Sequence, residues 1–153
     1  MQSKMAFLFL TGLLAGTLPA ATELGPLAFA RGGWGLDTQS MDELGTADPN
    51  AHGLGAPVAD ATASFSVAKP GKRHVWVLTR NWHAGAPGRF RVSVDGKPLP
   101  KVFGTGCPVW SWVSGGTVAL AAGRHVLQLK DETGFDGRCA GVILNDGKVP
   151  EGP

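Results

Sequence analysis

Ala61-Thr62-Ala63-Ser64-Phe65-Ser66-Val67 sets apolar side chains at every second position, with hydroxyls between them. Successive side chains of a strand point to opposite faces, so this period of two gives one face to a core and the other to water. Working outward, Lys69-Pro70-Gly71 supplies a turn, and His74 to Arg80 (HVWVLTR) follows as a strand apolar on both faces, hence central in its sheet. Phe90 to Val94 alternates again. Asp95-Gly96 marks a hairpin whose tight turn needs positive φ at both central residues. Pro98 and Pro100 place the next strand, continued by Lys101-Val102-Phe103, at a sheet edge, because proline has no N–H to give to a ladder. Gly116 to Leu120 and His125 to Leu129 are strands joined through Ala122-Gly123, and Cys139 to Leu144 is a continuously apolar closing strand. Trp76 is mid-strand and reads as core, and Trp34 reads as packing.

The composition agrees with this punctuated pattern. Glycine occurs 23 times and proline 11 times, charged residues make up only 17%, and long amphipathic helices are missing. One short helix is expected from about Thr38 to Leu44, with Asp37 as its N-cap and Gly45 just past its end. Short strands without crossover helices predict an all-β fold, an antiparallel β-sandwich or jelly roll. The sandwich is expected over residues 27–145, followed by a frayed polar tail at 146–153.

Ahead of the sandwich, Lys4 precedes an uncharged run with the apolar centre MAFLFLTGLL and a small-residue end at Leu18 to Ala21. Basic, apolar, then small is the order of a secretory signal peptide, assigned to residues 1–20, with an uncleaved anchor as the alternative. The run is shorter than the roughly 20 residues of a membrane-spanning helix and is broken by Gly12, Gly16 and Pro19. The chain is therefore expected to be secreted or periplasmic, with no membrane association after cleavage. Formal net charge is +2, and removal of Lys4 leaves +1. The cations are scattered, which excludes the clustered arrangement that binds nucleic acid. Cys107 and Cys139 are the only two cysteines, an even count that favours one disulfide in an oxidising compartment over two free buried thiols.

Antiparallel strands reverse at each connection, so loops can be assigned to ends. Counting from Ala61 puts the turns at Pro70-Gly71, Asp95-Gly96 and Ala122-Gly123 at one end. The connections Asn81 to Gly88, Gly104 to Gly115 and Asp131 to Arg138 then fall at the other. The count treats Gly104 to Gly115 as one connection, and it brings Cys107 and Cys139 to the same end, as a disulfide requires. The long-loop end also receives His52, Trp82, His83, Trp110, Trp112, Asp136 and Arg138. Loops on a rigid scaffold are where binding residues concentrate.

Tryptophan is the informative residue type: five Trp and seven Phe occur with no Tyr. Trp82, Trp110 and Trp112 are expected in loops, where an indole face either stacks on the C–H face of a sugar ring or seals the end of the sandwich. Catalysis finds little support. No nucleophile-elbow pattern surrounds a serine, and Asp37, Asp42, Asp60 and Asp136 offer a carboxylate pair only in the sense that any chain does. His52, His74, His83 and His125 lack metal-ligand spacing, and Gly53-Leu54-Gly55 lacks the strand, third glycine and helix of a dinucleotide fingerprint. His74 and His125 fall in strands and read as structural. No catalytic residue, cofactor or metal is expected.

GGWGLDTQSMDELG (32–45), AHGLGAPVADAT (51–62), HVWVLTRNW (74–82), GAPGRFRVSVDGKPLP (85–100) and SGGTVALAAGRHVLQLKDETGFDGRCAGVIL (114–144) together resemble one domain type. It is the golvesin- or xanthan-lyase-type carbohydrate-binding-like domain, a galactose-binding-like jelly roll attached to secreted bacterial enzymes, among them FAD-dependent oxidoreductases. The resemblance covers nearly all of the exported part. It implies an ancillary, carbohydrate-directed module, since the catalytic portions of such proteins lie elsewhere. The chain departs from the pattern in a shortened Trp82–Gly85 loop and in Cys107.

The expected function is a non-catalytic module that binds a glycan or polysaccharide. Trp82, Trp110 and Trp112 are its stacking residues, and His52, Arg80, Asp136 and Arg138 its polar partners. Two alternatives remain open: a structural or interaction domain that docks on a partner enzyme, and an ancillary domain detached from a secreted oxidoreductase or lyase.

Overall fold

The computed structural model describes residues 20–153, so the expected signal peptide lies, except for Ala20, outside the described residues. Among the described residues, ten strands form two antiparallel sheets. The larger contains β1 (Thr22–Leu24), β2 (Gly35–Asp37), β3 (Asp48–Ala51), β5 (Gly71–Thr79), β8 (Ser111–Leu120) and β10 (Gly137–Asn145). Its order is β2-β3-β10-β5-β8, with β1 pairing the far half of β10. The smaller runs β4-β9-β6-β7, from β4 (Ala61–Val67), β9 (Gly123–Asp131), β6 (Phe90–Val94) and β7 (Lys97–Phe103). β1 precedes the expected domain start at residue 27, and its Leu24 is buried in the core.

The alternation read from the sequence builds the layer between the sheets. Ala61, Ala63, Phe65 and Val67 of β4 meet Leu127 and Leu129 of β9 and Phe90, Val92 and Val94 of β6. Val75 and Val77 of β5 and Val142 and Leu144 of β10 face them from the larger sheet. Each of these valine, leucine and phenylalanine side chains contributes about 1.5–3 kcal/mol when fully buried. Trp34 joins this layer edge-on to Phe90, with ring centroids 5.6 Å apart. Trp76, expected in the core, is buried on the other face of β5. It stacks on His74 at 4.4 Å, and its Nε1–H donates to Asn145 Oδ1 at 3.2 Å.

The turns behave as their residues require. Asp95 (φ 51°) and Gly96 (φ 75°) both take the left-handed conformation. β8 is one strand from Ser111, longer than the sequence suggested. Its Ser114-Gly115-Gly116 is a bulge and not a boundary, because Val75 pairs with Gly116 and Trp76 with Ser114. A Cβ on Gly115 would stand 2.7 Å from Leu99 Cδ1, and Gly116 has φ 89°. The connection before β8 therefore ends at Trp110, and Trp112 is a strand residue directly opposite Leu78. The tail beyond residue 145 is not free: Asn145 Nδ2 donates to Lys148 O at 2.6 Å, and the Gly147 N–H to Asn145 Oδ1 at 2.9 Å.

The register confirms the two-ended layout. Thr79 at the end of β5 pairs with Cys139 near the start of β10 and with Ser111 at the start of β8. Phe90 at the start of β6 pairs with Asp131 at the end of β9 and with Phe103 at the end of β7. All three long connections thus emerge at one end.

The two cysteines do not form the expected disulfide. Both thiols are free: Cys107 is exposed in the β7–β8 loop, and Cys139 is buried between the sheets. The strand register brings their backbones to the same end, and the Asn81 N–H donates to Cys107 O at 2.8 Å. The side chains diverge, because Cys139 faces inward while the loop carries Cys107 into solvent.

Candidate functional site

The site is assembled on the outer face of β2, β3 and the start of β10. In β10, Cys139 points into the core, so its neighbour Arg138 points outward. Directly opposite Arg138 in β3 is Asn50, and opposite Asp48 in β2 is Asp37. Facing carboxylates repel, and Arg138 resolves the conflict. Its Nη2 lies 2.8 Å from Asp37 Oδ2 and 3.6 Å from Asp136 Oδ1, and its Nη1 lies 3.6 Å from Asp48 Oδ2. Asn50 Nδ2 also donates to Asp136 Oδ1, at 3.3 Å. Arg138 is only 2% exposed, a burial tolerable for a guanidinium only because carboxylates surround it.

This network sets the ionisation of Asp48 and Asp37. Burial pushes the Asp48 carboxyl up to about 6, with Asp37 adding to the rise and Arg138 opposing it. At Asp37 burial also acts upward, but the Gln39 N–H and the Arg138 guanidinium outweigh it and hold the carboxyl below its usual value. Asp37 is therefore not the helix cap expected from the sequence. The helix, α1 (Met41–Leu44), begins after Ser40, and Asp37 ends β2 with one oxygen on the Gln39 N–H and the other on Arg138.

Over this charged floor lies Trp82, in the loop after β5. Its indole is 42% exposed, with the Arg138 Cζ 4.5 Å and the Arg80 Cζ 5.5 Å from its ring centre. A guanidinium against an indole face is attractive, so the ring is held from within while much of its surface stays open. The β9–β10 loop closes another side. Asp131 organises it by accepting the N–H groups of Thr133 (3.1 Å) and Gly134 (3.0 Å) on one oxygen and that of Val58 (3.0 Å) on the other. Gly134 O in turn accepts from Gly53 N at 2.7 Å, and a Cβ on Gly134 would collide with Ala56. This anchors the chain next to His52, whose ring rests 5.4 Å from that of Phe135.

The result is an open cleft of about 460 Å³ lined by Gly35 to Gln39, Asn50, His52, Trp82, Asp136 and Arg138. Four of the residues singled out from the sequence meet here: His52, Trp82, Asp136 and Arg138. Arg80 sits beside the cleft, between Trp82 and Trp110, with Glu43 Oε1 3.4 Å from its Nη1. Trp110 is buried with Leu78, Ala140 and Leu44 in a small cluster on the outer face of the larger sheet, and presents no stacking surface. Trp112 packs against the same cluster and lines a different groove, with Leu24, Leu44 and Ala140. Sequence reasoning missed Asp37, Asp48 and Asn50 as site residues, since GLD and DPNA carry neither alternation nor β-formers.

The donor set suits hydrogen bonding to a polyhydroxylated ligand, with an aromatic plate beside it. Among the described residues, no group of three or more His, Cys, Asp or Glu side chains is placed to hold a metal ion. Among them, too, no helix is long and apolar enough to cross a membrane.

No protein-family model matches the chain, and no curated protein sequence matches it. Solved structures do. The chain is similar to a Podospora anserina GH26-CBM35 β-(1,4)-mannanase, with TM-score 0.68 and 16% identity. That match covers 87% of this chain but only 29% of the mannanase. It is similar to a family 35 carbohydrate binding module from Clostridium thermocellum, with TM-score 0.67 and 14% identity over 82% of this chain and 97% of that one. A family 35 module from an environmental isolate superposes with TM-score 0.65 and 17% identity, over 86% of this chain and 99% of that one. At these identities the likeness is one of architecture: the chain is an antiparallel jelly-roll sandwich with the fold of family 35 carbohydrate binding modules.

Proposed function

We propose that this protein is an exported, non-catalytic carbohydrate-binding module whose ligand lies on Trp82 in the cleft at the long-loop end. The observation that carries the reading is the half-open Trp82 ring, backed by buried Arg138 and flanked by Asp37, Asn50, His52 and Asp136. A sugar ring offers a C–H face to the indole and hydroxyls to the carboxylates and amides. Hydrogen bonds to charged groups contribute about 1.5–3 kcal/mol each. The fold shared with family 35 carbohydrate binding modules supports the same reading.

The module acts beside an enzyme. One of its structural neighbours is a mannanase in which the matching part is 29% of the chain, and the resemblance to the golvesin- and xanthan-lyase-type domain points to secreted oxidoreductases or lyases as partners. A glycan array probed with the wild type and Trp82→Ala tests the binding reading. Binding to at least one polysaccharide, lost in the variant, is expected; no binding to any glycan would sink it.

A further inference from the structure

The charges of the cleft define which sugars it can hold. Among the described residues its ionisable lining comprises Asp37, His52, Asp136 and Arg138, two carboxylates against one guanidinium and one imidazole. The guanidinium is not free to receive an anion. It is 2% exposed, roofed by Trp82, and its Nη2 is shared by Asp37 and Asp136. Its Nε and Nη1 are buried without hydrogen-bond partners, and Nη1 lies 3.6 Å from Asp48 Oδ2. Arg80, the other guanidinium near Trp82, is engaged by Glu43 and by the Trp82 and Trp110 faces. Asp48 lies beneath as a third acid, with neither oxygen hydrogen-bonded.

A carboxylated sugar entering this cleft meets like charge, and the one guanidinium that lines it already has three carboxylates around it. A protonated amine meets the opposite situation. The Asp136 and Asp37 carboxylates attract it, and the indole face adds a cation–π contribution on the exposed side. Asp136 is the better placed of the two acids. Its Oδ1 takes Asn50 and Arg138, while Asp37 has its Oδ1 on the Gln39 N–H and its Oδ2 on Arg138.

We propose, building on the glycan-binding reading, that the cleft selects amino sugars carrying a free ammonium group and rejects uronic acids, with Asp136 as the selectivity-determining residue.

The test is calorimetric titration of the full chain with oligomers of glucosamine, N-acetylglucosamine and galacturonic acid, at a pH where the amine is protonated. The expected result is binding of the glucosamine oligomer at least about tenfold tighter than its N-acetylated form, with the galacturonic acid oligomer weakest. Added salt should reduce the difference. Asp136→Asn should erase the preference; asparagine accepts the φ of 52° at this position, and the titration is run well below the variant's melting temperature because buried Arg138 loses one of its surrounding carboxylates. Equal affinity for the glucosamine and N-acetylglucosamine oligomers, tighter binding of the uronic acid, or an unchanged preference in Asp136→Asn would overturn the proposal. If neutral sugars bind in a Trp82-dependent way without ammonium preference, this selectivity fails and the binding reading stands. If no sugar of any class binds, both fall.

Discussion

Arg138 holds Trp82 from beneath, its Cζ 4.5 Å from the ring centre, and is itself held by carboxylates of β2, β3 and the β9–β10 loop. The exposed aromatic and the buried ion network are thus one device. Removing Arg138 would leave Asp37, Asp48 and Asp136 clustered without their cation, and breaking such a buried pair costs about 3–5 kcal/mol. The site is built on strand pairing, and only its aromatic plate comes from a loop.

Asp48 gives the network a pH signature. Its folded carboxyl value, raised to about 6, exceeds its unfolded value of 3.8, so between these pH values the folded state binds more protons. Stability from this group therefore falls as pH rises from about 4 to 6, by on the order of 2–3 kcal/mol. Asp48→Asn should flatten that part of the stability profile measured by urea unfolding across pH 4 to 7. An unchanged slope would contradict the assignment.

His125 has the opposite ionisation and lies at the other end. Its Nδ1 is 2.7 Å from Asp95 Oδ2 and its Nε2 is 2.9 Å from Ala121 O, two acceptors that an imidazolium satisfies at once. The Asp95 hydrogen bond, and then the Ala121 carbonyl, raise the histidine above its ordinary 6.5. The sign follows: this stabilisation is complete below the unfolded value and is lost as pH rises through the folded one. His125→Gln should remove a decline in melting temperature on the alkaline side of pH 6.5, leaving glycan binding intact because the pair lies at the tight-turn end.

The thiols are distinguishable by reagent. Cys107 is exposed, and the Val109 N–H and Ser111 hydroxyl hold it below the usual thiol range. Burial pushes Cys139 up to about 12. A thiol-reactive chromophore should therefore label one cysteine in the native protein and the second only on unfolding. No labelling in either state would mean the pair is oxidised.

Trp110 has a structural role. It is buried with Leu78 and Ala140, so Trp110→Ala should destabilise by about 3–5 kcal/mol in chemical denaturation. A loss below about 1 kcal/mol would show that the cluster carries little of the fold.

Most of the sandwich was legible because its strands are half-buried and alternate. β4 and β6 run over the residues their patterns mark, and the Asp95-Gly96 turn follows from its backbone demand. What escaped depends on contacts distant in sequence. β2 and β3 are short and polar, and become strands because β10 supplies a partner and Arg138 a counter-charge. Asp37 looks like a helix cap until Arg138, about a hundred residues later, is seen to claim it. The Ser114-Gly115-Gly116 run reads as an end of strand, although Val75 and Trp76 pair across it as a bulge. That error put Trp112 in a loop. His52, Trp82, Asp136 and Arg138 were legible as a group because strand parity alone sends them to one end.

In the proposed complex the ligand lies on Trp82 at the loop end and not on Trp112 over the sheet face. Binding isotherms of the best array glycan should be measured for the wild type, Trp82→Ala and Trp112→Ala. Trp82→Ala should weaken binding by about tenfold or more, the equivalent of about 1.4 kcal/mol, while Trp112→Ala binds as the wild type does. Unchanged affinity in Trp82→Ala, with loss in Trp112→Ala, would contradict it.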